Sequence, residues 1–174
     1  TFMIAGAITR GDITLENARP EHLGAVIDKL REIGVEITPL GNTIRVKGNH
    51  VYHAVDLMTL PYPGMPTDMQ AQFMALLCIA EGKSIISEKI FPDRFIHAAE
   101  LRRMGADIRI DGASAIIRGI PFLSGTEVMV SDLRAGAGLP QVPCTGKRDA
   151  RILERRGRAR EARLRLFQLR LDRR

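Results

Sequence analysis

The sequence predicts an α/β fold in which buried helices are enclosed by sheets and by a second, outer set of helices, a pseudo-symmetric inside-out barrel. Three observations carry this. The chain repeats itself at an offset of 71 residues. Each repeat alternates helical and strand patterns, which favours layered α/β packing. One helix of each repeat is apolar almost all round, whereas the other carries a charged face.

The first repeat opens with Phe2-Met3-Ile4-Ala5-Gly6-Ala7-Ile8, a run apolar enough for a buried helix. It starts without an initiator methionine, so the opening of this helix and the strand before it are expected upstream of Thr1. A strand follows Gly11. The next helix carries Glu21, Asp28, Lys29, Arg31 and Glu32 outward and stops at Gly34, and Gly41 precedes a strand at 43–46.

Adding 71 carries Leu30-Arg31-Glu32-Ile33-Gly34 onto Leu101-Arg102-Arg103-Met104-Gly105, and Gly11 and Gly41 onto Gly82 and Gly112. The second repeat begins with a strand at 55–59, which Leu60-Pro61-Tyr62-Pro63-Gly64-Met65-Pro66 stops, because proline lacks a donor N–H. Thr67 is the expected N-cap of a helix over 68–81, with Asp68 at the positive end of its dipole. On spacing alone Asp68 reads as a capping acid, although a carboxylate under a rigid loop is also placed to act on a ligand. A strand over 83–89 and a helix over 93–104 follow, the helix turning Phe95, Ala98, Ala99, Leu101 and Met104 inward and ending at Gly105. A hairpin at 106–110 and 115–120 crosses Asp111-Gly112. A third unit opens with a strand at 127–130, and Ser131-Asp132-Leu133-Arg134-Ala135 repeats Thr67-Asp68-Met69-Gln70-Ala71 at an offset of 64. The division is a partial domain over 1–139, with units of about 1–50, 54–120 and an incomplete 126–139, and a tail over 140–174.

The 174 residues are 45% apolar, as for a globular protein, with no run long enough to span a bilayer and no signal peptide. Two cysteines, Cys78 in an apolar helical stripe and Cys144 in irregular chain, make no disulfide framework, and the four histidines make no metal spacing. The net charge of +6 is uneven: residues 145–174 hold eleven arginines and one lysine against four acids, net +8, which leaves residues 1–144 at net −2.

Pro66-Thr67-Asp68-Met69-Gln70-Ala71-Gln72-Phe73, Phe91-Pro92-Asp93-Arg94-Phe95, Glu100-Leu101-Arg102-Arg103-Met104-Gly105-Ala106 and Asp132-Leu133-Arg134-Ala135 together resemble the UDP-N-acetylglucosamine 1-carboxyvinyltransferases. These are the enolpyruvyl transferases that open peptidoglycan precursor synthesis. The resemblance runs from Thr1 to about Leu139 and implies two inside-out α/β domains of three repeats each, with the active site between them. It implies transfer of the enolpyruvyl group of phosphoenolpyruvate to the 3-hydroxyl of UDP-N-acetylglucosamine, in the cytoplasm, with no cofactor, metal or membrane. Such chemistry needs a base for the hydroxyl, an acid for the methylene and cations around phosphate and carboxylate. Asp68 matches the aspartate that binds the sugar hydroxyl and is proposed as its base, and Ile90 a position whose backbone contacts the nucleotide sugar. Arg94, Asp132 and Arg134 match active-site charges, although Arg94 alone would read as a solvated helix charge. The shikimate-pathway enolpyruvyl transferases share the fold, but the 66–73 motif argues against them.

The departures matter as much. The family's lysine–asparagine pair, its loop cysteine or aspartate and an arginine that binds phosphoenolpyruvate match nothing here, and Cys144 stands in the wrong context for the loop residue. Pro92-Asp93 replaces a usual Glu-Asn. After Leu139 the family continues a buried Ala/Leu-rich helix, whereas Pro140-Gln141-Val142-Pro143 breaks it. The arginine-rich tail has three readings: a slipped reading frame, ranked first, then a solvated amphipathic helix with Leu164, Phe167 and Leu171 near one face, then a nucleic-acid-binding segment on a non-catalytic repeat module. The chain alone is expected to be inactive, and to associate or partly unfold through exposed apolar faces.

Overall fold

Leu30 and Leu101 occupy the same point in the two repeats, and the helices they help to end close in the same way. The Gly34 N–H returns to the Arg31 carbonyl (2.9 Å) and that of Val35 to Leu30 (3.0 Å). Gly105 returns to Arg102 (2.8 Å) and Ala106 to Leu101 (3.0 Å). This double return requires a left-handed residue just past the helix, which Gly34 (φ 105°) and Gly105 (φ 93°) supply. The last-turn arginine then reaches round to the next strand: Arg31 Nη2 donates to the Ile37 carbonyl (2.9 Å), and Arg102 Nε to that of Ile108 (2.8 Å).

A computed structural model of the chain describes residues 1–125 in full and the strand backbone at 127–129, 144–145 and 151–153. Asp132, Arg134 and, apart from those strands, the rest of the expected third unit and tail lie outside the described residues. The first repeat runs α1 (Phe2–Ile8), β1 (Asp12–Leu15), a 3₁₀ turn (Pro20–His22), α2 (Gly24–Ile33), β2 (Glu36–Leu40) and β3 (Thr43–Lys47). The second runs β4 (Leu57–Met58), a 3₁₀ turn (Thr67–Met69), α3 (Gln70–Leu77), β5 (Lys83–Ser87), α4 (Ile96–Arg103), β6 (Asp107–Asp111) and β7 (Ser114–Arg118). Then come β8 (Leu123–Ser124), β9 (Glu127–Met129), β10 (Cys144–Thr145) and β11 (Arg151–Leu153).

The first sheet has the order β1-β3-β2, all antiparallel. The second has β4-β5-β7-β6, its last three strands paired as in the first sheet, with β4 added in parallel beside β5. Strand β10 pairs in parallel with β8, and β11 with β9. Helices α1 and α3 pack on each other between the sheets, as expected of the apolar runs. Every residue of α3 except Ala71 is buried, and Met3, Ile4, Gly6, Ala7 and Ile8 of α1 are buried while Phe2 is exposed. Ile13, Ile37, Ile44, Val46, Ile86, Ile108 and Ile117 come from the inward faces of the strands, and α2 and α4 add Leu30, Ile33 and Leu101 from outside. The charged faces of α2 and α4 look to solvent, and the mixed α/β arrangement is the predicted one.

Several local expectations change. Glu21 belongs to a 3₁₀ turn ahead of α2, because Pro20 starts that turn and Gly24 opens the helix anew. Helix α3 is shorter than 68–81 at both ends. Its first turn is 3₁₀, and 78–80 tightens into i→i+3 bonds (Ile79 to Leu76, Ala80 to Leu77) before the chain pairs with the preceding segment through Glu81 N–H to Tyr52. Helix α4 starts at Ile96, not 93, leaving Arg94 in the turn before it, and Ala99 faces solvent. Cys144 lies in strand β10, not in irregular chain.

Candidate functional site

Strand β4 delivers the chain into the proline loop, which folds back on itself: Leu60 N–H reaches the Met65 carbonyl (2.9 Å) and Gly64 N–H that of Pro61 (2.8 Å). The Tyr62–Pro63 peptide is cis. The loop sets Thr67 and Asp68 at the top of α3, but neither helical start there has a side-chain cap. The Thr67 hydroxyl instead donates to Glu88 Oε2 (2.9 Å), because an ionised carboxylate is a stronger acceptor than a hydroxyl is a cap for neutral N–H groups.

Glu88, just past β5, is fully buried. Its Oε1 accepts from the Thr59 hydroxyl (2.5 Å) and from the backbone N–H groups of Ile90 (2.9 Å) and Phe91 (3.1 Å). Burial alone would raise its pKa. The hydrogen bonds from Thr59, Phe91, Ile90 and Thr67 outweigh that and hold it below the ordinary carboxylate value. A glutamate ending a strand reads as solvated, so Glu88 does not stand out in the sequence. The signals that could have flagged it are Thr59 and Thr67 on either side of a proline loop, two hydroxyl donors in need of a buried acceptor.

Asp68 and Arg94, brought together only by the motif match, are in contact here. Arg94 Nη1 donates to Asp68 Oδ1 (3.2 Å) and to Thr67 Oγ1 (3.3 Å), and its guanidinium lies over the Phe91 ring at 5.4 Å. The Arg94 side chain is 21% exposed and that of Asp68 58%. The cation is therefore held by its neighbours while the carboxylate faces outward, beside a cleft of about 590 Å³ lined by Asp68, Phe91, Pro92, Asp93, Arg94 and Ile96. Ile90 is half-buried at its edge, with its N–H committed to Glu88. The cleft thus offers two carboxylates, a guanidinium and a part-exposed aromatic side chain, which suits a polar ligand with hydroxyl and anionic groups. Cys78 is buried just past the end of α3, and burial pushes its thiol up to about 12, so it is no nucleophile. Among the described residues no group of three or more His, Cys, Asp or Glu could hold a metal, and no helix is long and apolar enough to cross a membrane.

Known proteins similar to this chain fall in one family. The profile of the EPSP synthase (3-phosphoshikimate 1-carboxyvinyltransferase) family matches residues 1–154. A UDP-N-acetylglucosamine 1-carboxyvinyltransferase from Desulfosudis oleivorans is 58% identical over 139 residues, covering 80% of this chain and 33% of the relative. The protein of that name from Geobacter metallireducens is 55% identical over the same length. Among solved structures, the enolpyruvyl transferase NikO from Streptomyces tendae matches with a TM-score of 0.69 at 25% identity, over 78% of this chain and 33% of that one. EPSP synthase from Acinetobacter baumannii shares the fold at a TM-score of 0.58 and 19% identity, over 80% of this chain and 34% of that one. The chain spans about a third of the length of the curated relatives it matches.

Proposed function

The chain belongs to the EPSP synthase family of enolpyruvyl transferases, and from that premise we propose that it is part of a UDP-N-acetylglucosamine 1-carboxyvinyltransferase and forms the nucleotide-sugar side of its active site. The reaction moves the enolpyruvyl group of phosphoenolpyruvate to the sugar 3-hydroxyl in peptidoglycan synthesis, in the cytoplasm where both substrates are handled. The observation that carries the reading is the Asp68–Arg94 pair beside the cleft, on the Pro66–Phe73 segment that carries the motif. Asp68 accepts the sugar hydroxyl and draws its proton as the oxygen attacks. Arg94 keeps that carboxylate oriented and adds positive charge where anionic substrate groups approach. Ile90 contributes its carbonyl, because a residue has one backbone N–H and that of Ile90 is committed to Glu88. Asp132 and Arg134, by the motif match, are further active-site charges in this reading.

The groups that protonate the methylene and bind phosphoenolpyruvate match nothing in these 174 residues, so the chain alone binds one substrate and does not turn over. Titration calorimetry with UDP-N-acetylglucosamine tests the reading. The chain binds it, and Asp68→Asn weakens binding about tenfold, the loss of one charge-assisted hydrogen bond. Phosphate release by the isolated chain given both substrates would refute the division of labour.

A further inference from the structure

We infer that Glu88 is a positioning residue, which sets the Asp68–Arg94 pair through the Thr67 hydroxyl while it fixes the Ile90–Phe91 backbone at the edge of the same cleft. The inference rests on the reading of that cleft as the nucleotide-sugar site. A carboxylate offers about four acceptor positions and no donor. Thr59, Ile90 and Phe91 donate to Oε1, and Thr67 donates to Oε2. Glu88 is fully buried and does not line the cleft, so it acts through the groups it holds.

The direction of the hydrogen bonds matters more than their number. A hydroxyl has one proton. Because Thr67 gives its proton to Glu88, its lone pairs are left to accept from Arg94 Nη1 (3.3 Å), and the same nitrogen reaches Asp68 Oδ1 (3.2 Å). The order Arg94 to Thr67 to Glu88 runs one way because a fully buried, acceptor-only group stands at its end. Thr59 behaves alike, giving its proton to Glu88 and accepting the Lys89 N–H (2.9 Å). One carboxylate thus ties together Thr59 just past β4, the 3₁₀ turn ahead of α3 and the 88–91 turn, the last two of which bring Asp68 and Phe91 to the cleft.

The experiment uses the 174-residue chain and nuclear magnetic resonance. It reads the backbone amides of Ile90 and Phe91 and the rotation of the Arg94 guanidinium, with Thr67→Val, Thr67→Ser and Glu88→Gln as variants. Thr67→Val removes only the hydroxyl: the two amides keep their shifts, guanidinium rotation speeds up about tenfold, and Thr67→Ser restores it. Glu88→Gln leaves one oxygen for donors that met two and turns an NH2 towards one of them, which moves both the amides and the rotation. Should Glu88→Gln not fold, Thr67→Val and its serine rescue carry the test. Arg94 rotation that is already fast in the parent chain, or unchanged in Thr67→Val, overturns the inference and leaves Glu88 a loop anchor. Titration with UDP-N-acetylglucosamine separates the two readings. Weaker binding in Thr67→Val, restored by serine, supports both. Slowed rotation in a chain that does not bind the nucleotide sugar upholds the positioning and removes the ligand.

Discussion

Where the first repeat holds Tyr52, the second holds Leu123, and the chain around them closes differently. In the second repeat the Ile120 N–H donates straight to the Cys78 carbonyl (2.8 Å). In the first the equivalent N–H, Asn49, donates to the Tyr52 hydroxyl (3.0 Å), which passes the bond on to the Ala7 carbonyl (2.5 Å). A hydroxyl stands between strand exit and helix end in one copy, and the two touch in the other. The neighbouring bond, Gly48 to Gly11 (2.8 Å) or Gly119 to Gly82 (3.0 Å), is the same in both. The helix end differs too: the left-handed residue is Arg10 (φ 55°) in the first repeat and Gly82 (φ 111°), one position later by the 71-residue offset, in the second. The backbone plan therefore survives while the seam between helix and sheet is adjustable. The chemistry gathers in the repeat that has β4. Glu88 corresponds to Asn17, an exposed turn residue at φ 54°, and the first repeat has no buried acceptor there around which a cleft could form.

The largest test of the tighter seam is at its glycine. A Cβ on Gly119 would overlap the Ala80 carbonyl, a backbone group with nowhere to go, whereas on Gly48 it would come within 2.7 Å of the Arg10 Cα and 2.8 Å of the Ala7 carbonyl. Gly119→Ala is expected to cost about 4 kcal/mol or more, enough to unfold a marginal chain, and Gly48→Ala about 2. Urea denaturation followed by circular dichroism checks the order, and equal costs would mean that the two seams are alike.

The wider seam is broken at Tyr52. Tyr52→Phe keeps the buried ring but strands the Asn49 N–H and takes from the Ala7 carbonyl one of its two donors, the Arg10 N–H (2.8 Å) remaining, at a cost of about 1 kcal/mol. A cost near zero would show that the first repeat can close to the direct bond of the second. Next comes Glu88, whose pKa is lowered on folding despite burial, by the hydrogen bonds it accepts. A group with a depressed folded pKa stabilises above its ordinary value, here 4.5, and that contribution is lost as pH falls through the folded value. The parent chain should lose stability on acidification below about pH 4.5, and Glu88→Gln should lose less over the same range.

Much of this was legible in the sequence because it rests on rules that act locally. Glycine ends a helix at 34 and 105 for want of a Cβ, Asp111-Gly112 turns a hairpin, and apolar residues all round α3 require burial. The long motif then placed Asp68 and Arg94 together, which no spacing could have done. What stayed hidden depends on partners far along the chain. Thr67 has the right type and place for an N-cap, yet it serves a carboxylate 21 residues away. Arg94 fits a helical pattern that Phe95 in fact opens, because the cation is drawn back over Phe91 and onto Asp68. Glu88 is legible only once those donors are known to converge.

The smallest effect comes from the feature that distinguishes the sheets most visibly. Arg45 grips Asp12 through two bonds (2.9 and 2.6 Å) across β1 and β3, and the equivalent positions in the second sheet, Lys83 and Ile116, hold no such pair. The hydrogen bond from Arg45 holds the Asp12 carboxyl below its ordinary value, so its contribution is present above that value and fades on acidification. Both side chains are largely in water, where the charges are screened and ordering two side chains offsets the attraction. Asp12→Asn should leave the urea midpoint unmoved at physiological salt. The second sheet already folds without the pair, which is why a measurable loss would mean that the first sheet, with no parallel strand beside β1 among the described residues, leans on its surface charges as its counterpart does not.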